Sequence, residues 1–188
     1  LIKVTVSGSW WSGLPDEWGV PHTTMRDGAP NGYTILKFSE NRKPEIVFKA
    51  ARGPEEFQMS VFAPDSIELG NVKETLVYVN VFNGWDDSVV QVRWNSEGNW
   101  QTMDKSLEKD PNHQAVFDRE PETPPSPYKR ISAPVDSRHL WKGRLNPDIG
   151  VGVHALQVRA TDVNGKWHRA ERIVRVKKNA VGATDPQP

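Results

Sequence analysis

The stretch VHALQVRATDVNGKWHRAERIVRV, residues 153–176, decides the fold of this chain. In its first arm Val153, Ala155, Gln157 and Arg159 alternate with His154, Leu156, Val158 and Ala160. The second set is the more apolar, as a strand with one buried face requires. Asp162-Val163-Asn164-Gly165 then supplies the Asn-Gly pair that a tight turn with positive φ favours. The return arm alternates Ile173 and Arg175 with Val174 and Val176, a weaker split that leaves its facing open. A hairpin of adjacent strands commonly closes a β-sandwich of immunoglobulin type, and residues 75–178 are assigned to that architecture.

Period-two patterns recur upstream, at 2–6, 33–38, 45–50, 57–62, 76–82, 89–95 and 100–103, and no convincing helical stripe interrupts them. The expected class is therefore all-β: an immunoglobulin-like β-sandwich with an N-terminal β extension. Asn83-Gly84 and Glu97-Gly98 provide further turns. Residues 1–74 form the extension and are expected to share a core with the rest, because their strands do not complete a sandwich alone. Residues 107–138 read as a long inserted loop, since Pro121, Pro124, Pro125 and Pro127 remove ladder donors and favour extended backbone. The Gly-, Ala- and Pro-containing end, 179–188, has no period and reads as a flexible tail.

Composition narrows the function classes. Hydrophobic residues make up 36% and charged residues 26%, which suits a turn-rich globular protein, and no apolar run reaches the roughly 20 residues of a membrane span. With 24 basic and 24 acidic side chains interspersed, no long-range field attracts a polyanion, so nucleic acid is not an expected partner. Absence of cysteine removes disulfides, thiolate metal sites and a Cys nucleophile together. The chain opens at Leu1, inside a strand-like pattern and without an initiator Met, as a processed or truncated chain would.

The segment 7–33, SGSWWSGLPDEWGVPHTTMRDGAPNGY, gathers Trp10, Trp11, Trp18, His22, Met25 and Tyr33 among five glycines and three prolines. Its prolines and glycines exclude a central strand, while its aromatics need burial in this chain or against a partner. The order GSWW, GVP, DGAPNGY, FQMSVFAP, VYVNVFNG and GVHALQVRATDVNG resembles the C-terminal domain of bacterial calcineurin-like metallophosphoesterases, from Gly8 to about Val176. The resemblance implies a β-sandwich module downstream of a metal-dependent phosphoesterase domain in exported bacterial proteins, hence a periplasmic or cell-surface location. It implies no established activity for the module itself.

The residues agree that the chemistry lies elsewhere. A dinuclear phosphoesterase centre needs clustered Asp, His and Asn ligands. The family's ligand motifs D-x-H, G-D-x-x-D, G-N-H-[DE] and G-H-x-H are missing, and the five histidines show no H-x-H, H-x-x-H or H-E-x-x-H spacing. No G-x-S-x-G elbow supports a hydrolase triad. No cofactor is expected in this chain; divalent metals are expected only in the catalytic domain. The expected function is a noncatalytic accessory domain that packs on or positions that catalytic domain. The alternative is a carbohydrate-binding module, motivated by eight tryptophans in a chain of zero net charge.

Candidate interface or ligand contacts are Trp10, Trp11, Trp18, His22, Asp27, Asn31 and Tyr33. The tryptophans read either as a platform or docking anchor, or as a plug for the end of the sandwich. The segment from Asp27 to Gly32 reads as a double turn that could also offer oxygens to calcium, and Asp162 to Gly165 as a hairpin turn. His154 leaves open whether it is a satisfied strand residue or part of a site. Trp94 and Trp100 are expected to serve the sandwich and its surface.

Overall fold

The computed structural model describes residues 2–5, 12–21, 24–40, 43–144 and 149–179. The strands are β1 (Ile2–Thr5), β2 (Gly32–Lys37), β3 (Glu45–Ala50), β4 (Met59–Phe62), β5 (Ser66–Glu68), β6 (Leu76–Val81), β7 (Val90–Trp94), β8 (Gln101–Thr102), β9 (Asp104–Lys109), β10 (Asp136–Arg144), β11 (Gly152–Thr161) and β12 (Trp167–Lys177). A 3-10 turn covers Leu69–Glu74, and the α-helix among the described residues is α1 (Pro111–Arg119). The strands form three sheets, ordered β1-β2-β3, β4-β6-β10-β9 and β5-β12-β11-β7-β8. The pairing is antiparallel except between β12 and β5.

The two larger sheets enclose one core, and the chain is an all-β sandwich. Alternation decides what enters it: Val77, Val79 and Val81 from β6, Val90, Val92 and Trp94 from β7, Leu156, Val158 and Ala160 from β11, and Val174 and Val176 from β12. Each fully buried aliphatic side chain there contributes about 1.5–3 kcal/mol relative to exposure. Of the set expected to face inward, Leu156, Val158 and Ala160 are buried and His154 only partly so, and β12 takes the facing that the sequence left open, with Val174 and Val176 inside and Ile173 outside. Both β4 and β5 precede residue 75, so the large sheets draw strands from either side of that position.

The sheet β1-β2-β3 packs at one end of the sandwich through a second cluster of Ala29, Phe48, Ala50 and Phe82, with Met25 against it. Phe82 follows β6 directly and meets Phe48 edge-on at 5.7 Å and Phe57 at 5.0 Å. Hydrogen bonds fix the same junction. Asn164, in the β11-β12 turn, accepts from Ile46 N at 2.9 Å and donates to Ile46 O at 2.6 Å, and Asn83 Nδ2 donates to Ile46 O at 2.9 Å.

Residues 107–138 are a correction. They are not one long loop, for they contain the end of β9, all of α1 and the start of β10. The helix starts where Asp110 caps it, accepting from His113 N at 2.8 Å, and Pro111 occupies the first turn, where its missing N–H costs nothing. Only His113 is buried on α1, so no apolar stripe marked it. The period of β10 is broken by an irregularity between Ser137 and Leu140, and beyond it both faces are covered, Trp141 in the core and Leu140 beside Asn80 under the outer cover.

Candidate functional site

The outer face of β4-β6-β10-β9 is covered by the aromatic loop and by the segment 110–135. The cover is held by a polar network that starts at Asn80, on the face of β6 opposite the valines. Asn80 Nδ2 donates to Asp27 O and to Asp110 Oδ2, each at 2.9 Å, so its Oδ1 is left as an acceptor. His139 of β10 meets that oxygen through Nδ1 at 2.6 Å and Asp27 Oδ2 through Nε2 at 3.2 Å. Both ring nitrogens thus face oxygens, so His139 ties β10 to β6 on one side and to the aromatic loop on the other. Burial works to raise the Asp27 carboxyl, but the hydrogen bond and charge of His139, with the Ala29 N–H, hold it below the usual carboxylate range.

Gly28 shows how closely the loop approaches α1. Its φ of +86° suits glycine, and a Cβ there would overlap the Asp110 side chain. Around this centre Gly13 N donates to Lys129 O at 2.7 Å, Val135 N to Arg26 O at 2.9 Å, and Arg26 Nε to Ala133 O at 2.9 Å. Glu120 bridges the two segments, accepting from Leu14 N and from Ile131 N, each at 2.8 Å. The Pro-rich arm is therefore packed on the aromatic loop.

That loop presents Trp18 at the tip of a tight turn. Asp16 Oδ1 accepts from Trp18 N at 3.0 Å and Val20 N at 3.1 Å, Gly19 takes φ +74°, and Pro15 bridges Pro21 across the base. Burial works to raise the Asp16 carboxyl, but those two amides and the paired Arg52 guanidinium together hold it below the usual range. Trp18 is 71% exposed, with the Arg52 guanidinium 6.0 Å from its ring. It borders an open groove of about 910 Å³ lined also by Pro21, Pro30, Phe57 and Arg119. A neighbouring cavity of about 570 Å³ shares Thr24, Pro30 and Phe57 and reaches Met59, Phe82 and His113.

Among the candidate contacts, Trp18 and Asp27 are brought into this assembly, one exposed and one tied inward. The Asn31 carbonyl accepts from Ala51 N at 2.8 Å, and Tyr33 pairs with Lys49 across β2 and β3. Trp10, Trp11 and His22 lie outside the described residues. His139, Asn80 and Asp110 were missed in the sequence; Asp110-Pro111 carried a readable cap signal, whereas His139 and Asn80 meet Asp27 only through sheet register.

The chemistry available is limited. Ser137 Oγ lies 3.5 Å from His139 Nδ1, which with Asp27 suggests a triad, yet Ser137 is fully buried and cannot meet a substrate. The Asp27 carboxylate is spent on His139 and Ala29 N, and the Asp162 carboxylate on His168, Asn164 N and Lys166 N. Burial opposes that second charge, but the His168 contact and the two amides keep Asp162 low. His154 ties Asn95 Nδ2 at 3.2 Å to Gly150 O at 2.8 Å. Among the described residues no three or more His, Asp or Glu side chains converge as a metal centre would require.

A family model described as the C terminal of calcineurin-like phosphoesterase matches residues 1–168. No curated protein matches the chain.

Proposed function

This chain belongs to the C-terminal domains of calcineurin-like phosphoesterases, and from that premise we propose that it is an accessory domain that packs on and positions the catalytic domain. The observation that carries the reading is Trp18, 71% exposed on a turn that the rest of the loop holds rigidly against the sandwich. A pre-ordered tryptophan loses little side-chain freedom on docking and buries a large apolar area, the properties of an interface hot spot. The groove beside it adds Phe57, and Arg52 and Arg119 supply charge at its border. Titrating the separately expressed catalytic domain with this chain tests the contact. Trp18→Ala is expected to weaken binding by about tenfold or more; unchanged affinity would sink the assignment of the contact to this loop.

A carbohydrate-binding module is the second reading, favoured by the same exposed ring. Stacking on sugar needs at least two coplanar exposed aromatics, and Trp18 is the one tryptophan lining the groove among the described residues. Saturable glycan binding lost in Trp18→Ala would favour this second reading. In our reading the protein works outside the cytoplasm, in the periplasm or at the cell surface, and divalent metals serve the catalytic domain alone. Cell fractionation tests the first point, and a melting temperature indifferent to chelator the second.

A further inference from the structure

The outer face of β5-β12-β11-β7-β8 carries a cationic and aromatic array that the core does not use. Alternation turns Gln91, Arg93, Gln157 and Arg159 away from the sandwich interior, and register sets them in rows. Arg159 lies between Gln91 and Arg169, and Gln157 between Arg93 and Glu171. The Arg93 guanidinium is 4.5 Å from the centroid of Trp100, while that of Arg159 is 4.4 Å from Trp100 and 4.9 Å from Trp167. A glutamine fixes each Nε: Arg93 donates to Gln157 Oε1 at 2.9 Å and Arg159 to Gln91 Oε1 at 2.8 Å.

Among the described residues the ion pairs include none made by Arg93, Arg159 or Arg169. Glu171, the acid in these rows, accepts from Gln157 Nε2 at 3.1 Å. Arg159 and Arg169 are direct cross-strand partners, an unfavourable juxtaposition of like charge that an anion between them would relieve. Two guanidiniums are thus already ordered by stacking and by their glutamines, and among the described residues no carboxylate pairs with them. A depression of about 490 Å³ opens beside them, bordered by Arg93, Ser96, Trp100, Gln157 and Arg169, with Glu171 also at its edge.

We propose that this face binds a phosphate group, with Arg93, Arg159 and Arg169 as donors and Trp100 and Trp167 as rigid supports. Guanidinium forks match phosphate oxygens in pairs, and ordering them beforehand removes the side-chain entropy cost of binding. The proposal rests on the reading that the chain accompanies a phosphoesterase, whose substrates carry phosphate esters and whose product is phosphate. It gives this domain a place to hold either, remote in sequence from the Trp18 loop.

The test follows tryptophan fluorescence and heat on titrating the 188-residue chain with inorganic phosphate, a sugar phosphate and the unphosphorylated sugar at low ionic strength. Saturable binding of the phosphate probes and silence toward the neutral sugar are expected, with affinity falling as salt is added. Tighter binding of the sugar phosphate assigns a substrate anchor, and tighter binding of inorganic phosphate a product site. The double variant R93Q/R159Q is expected to lose about tenfold or more in affinity. Arg169→Gln removes a cation that stacks on no ring among the described residues, so its weaker binding is read on an intact sheet, checked by circular dichroism. Absence of saturation with both phosphate probes, equal binding of the neutral sugar, or affinities untouched by these substitutions overturns the proposal. Docking to the catalytic domain is a separate measurement, so either reading can fail alone.

Discussion

Asp27 concentrates the residue-scale energetics. Its carboxylate is held by His139 and Ala29 N, and its carbonyl by Asn80, so one residue fastens the aromatic loop to β6 and β10. The folded carboxyl titrates below its ordinary value of 3.8, so its contribution is complete above about pH 4 and is lost as pH falls through the lower folded value. Asp27→Asn is expected to lower stability by about 1–2 kcal/mol near neutral pH. The gap from the parent chain should narrow as pH falls from neutral to about 3, below the ordinary value of 3.8 at which the unfolded chain takes the proton more readily than the folded one. Urea denaturation of both proteins at the two pH values checks this, and a gap of equal size at both would deny Asp27 its charged role.

At the scale of elements, α1 depends on its cap. Asp110 accepts from His113 N and from Asn80 Nδ2, so it closes the helix and anchors it to the sheet at once. Asp110→Ala is expected to cost about 1–2 kcal/mol for the cap, with a further loss because Asn80 then keeps a buried donor without its acceptor. Thermal or urea denaturation reads the sum, and a cost under about 0.5 kcal/mol would show that the cap carries little. The same element marks the limit of sequence reading. Unbroken alternation made β11 legible down to the identity of its buried set, Leu156, Val158 and Ala160. A nine-residue helix burying His113 alone offers no stripe, so it falls within the expected loop, and β10 hides its period behind an irregularity, so its start falls in that loop and the rest is not among the expected strands. The site divides the same way. Trp18 and Asp27 stood out by local composition, whereas His139, Arg93 and Arg159 acquire partners only when strands far apart in sequence pair.

For the whole molecule, the question is whether the β1-β2-β3 sheet unfolds with the sandwich. Its cluster is completed by Phe82, which extends β6 and stacks on Phe48 and Phe57, and its strand β3 is hydrogen-bonded to the β11-β12 turn through Asn164. Phe48 of β3 meets it edge-on from the small sheet, while Ala29 and Ala50 are small and Met25 is only partly buried. The two cores should therefore melt as one cooperative unit in the parent chain. Phe82→Ala removes the aromatic that follows β6 of the sandwich and completes the smaller cluster, and is expected to cost about 3–5 kcal/mol. It should also uncouple the transitions, so that amides of β2 and β3 exchange with solvent faster than those of β11, which retain the sandwich core. Hydrogen exchange measured strand by strand decides the matter. Uniform acceleration across both sheets would mean that the sandwich itself cannot stand without this junction, and unchanged exchange in β2 and β3 would mean that the small sheet is held by the Asn164 and Asn83 bonds rather than by Phe82.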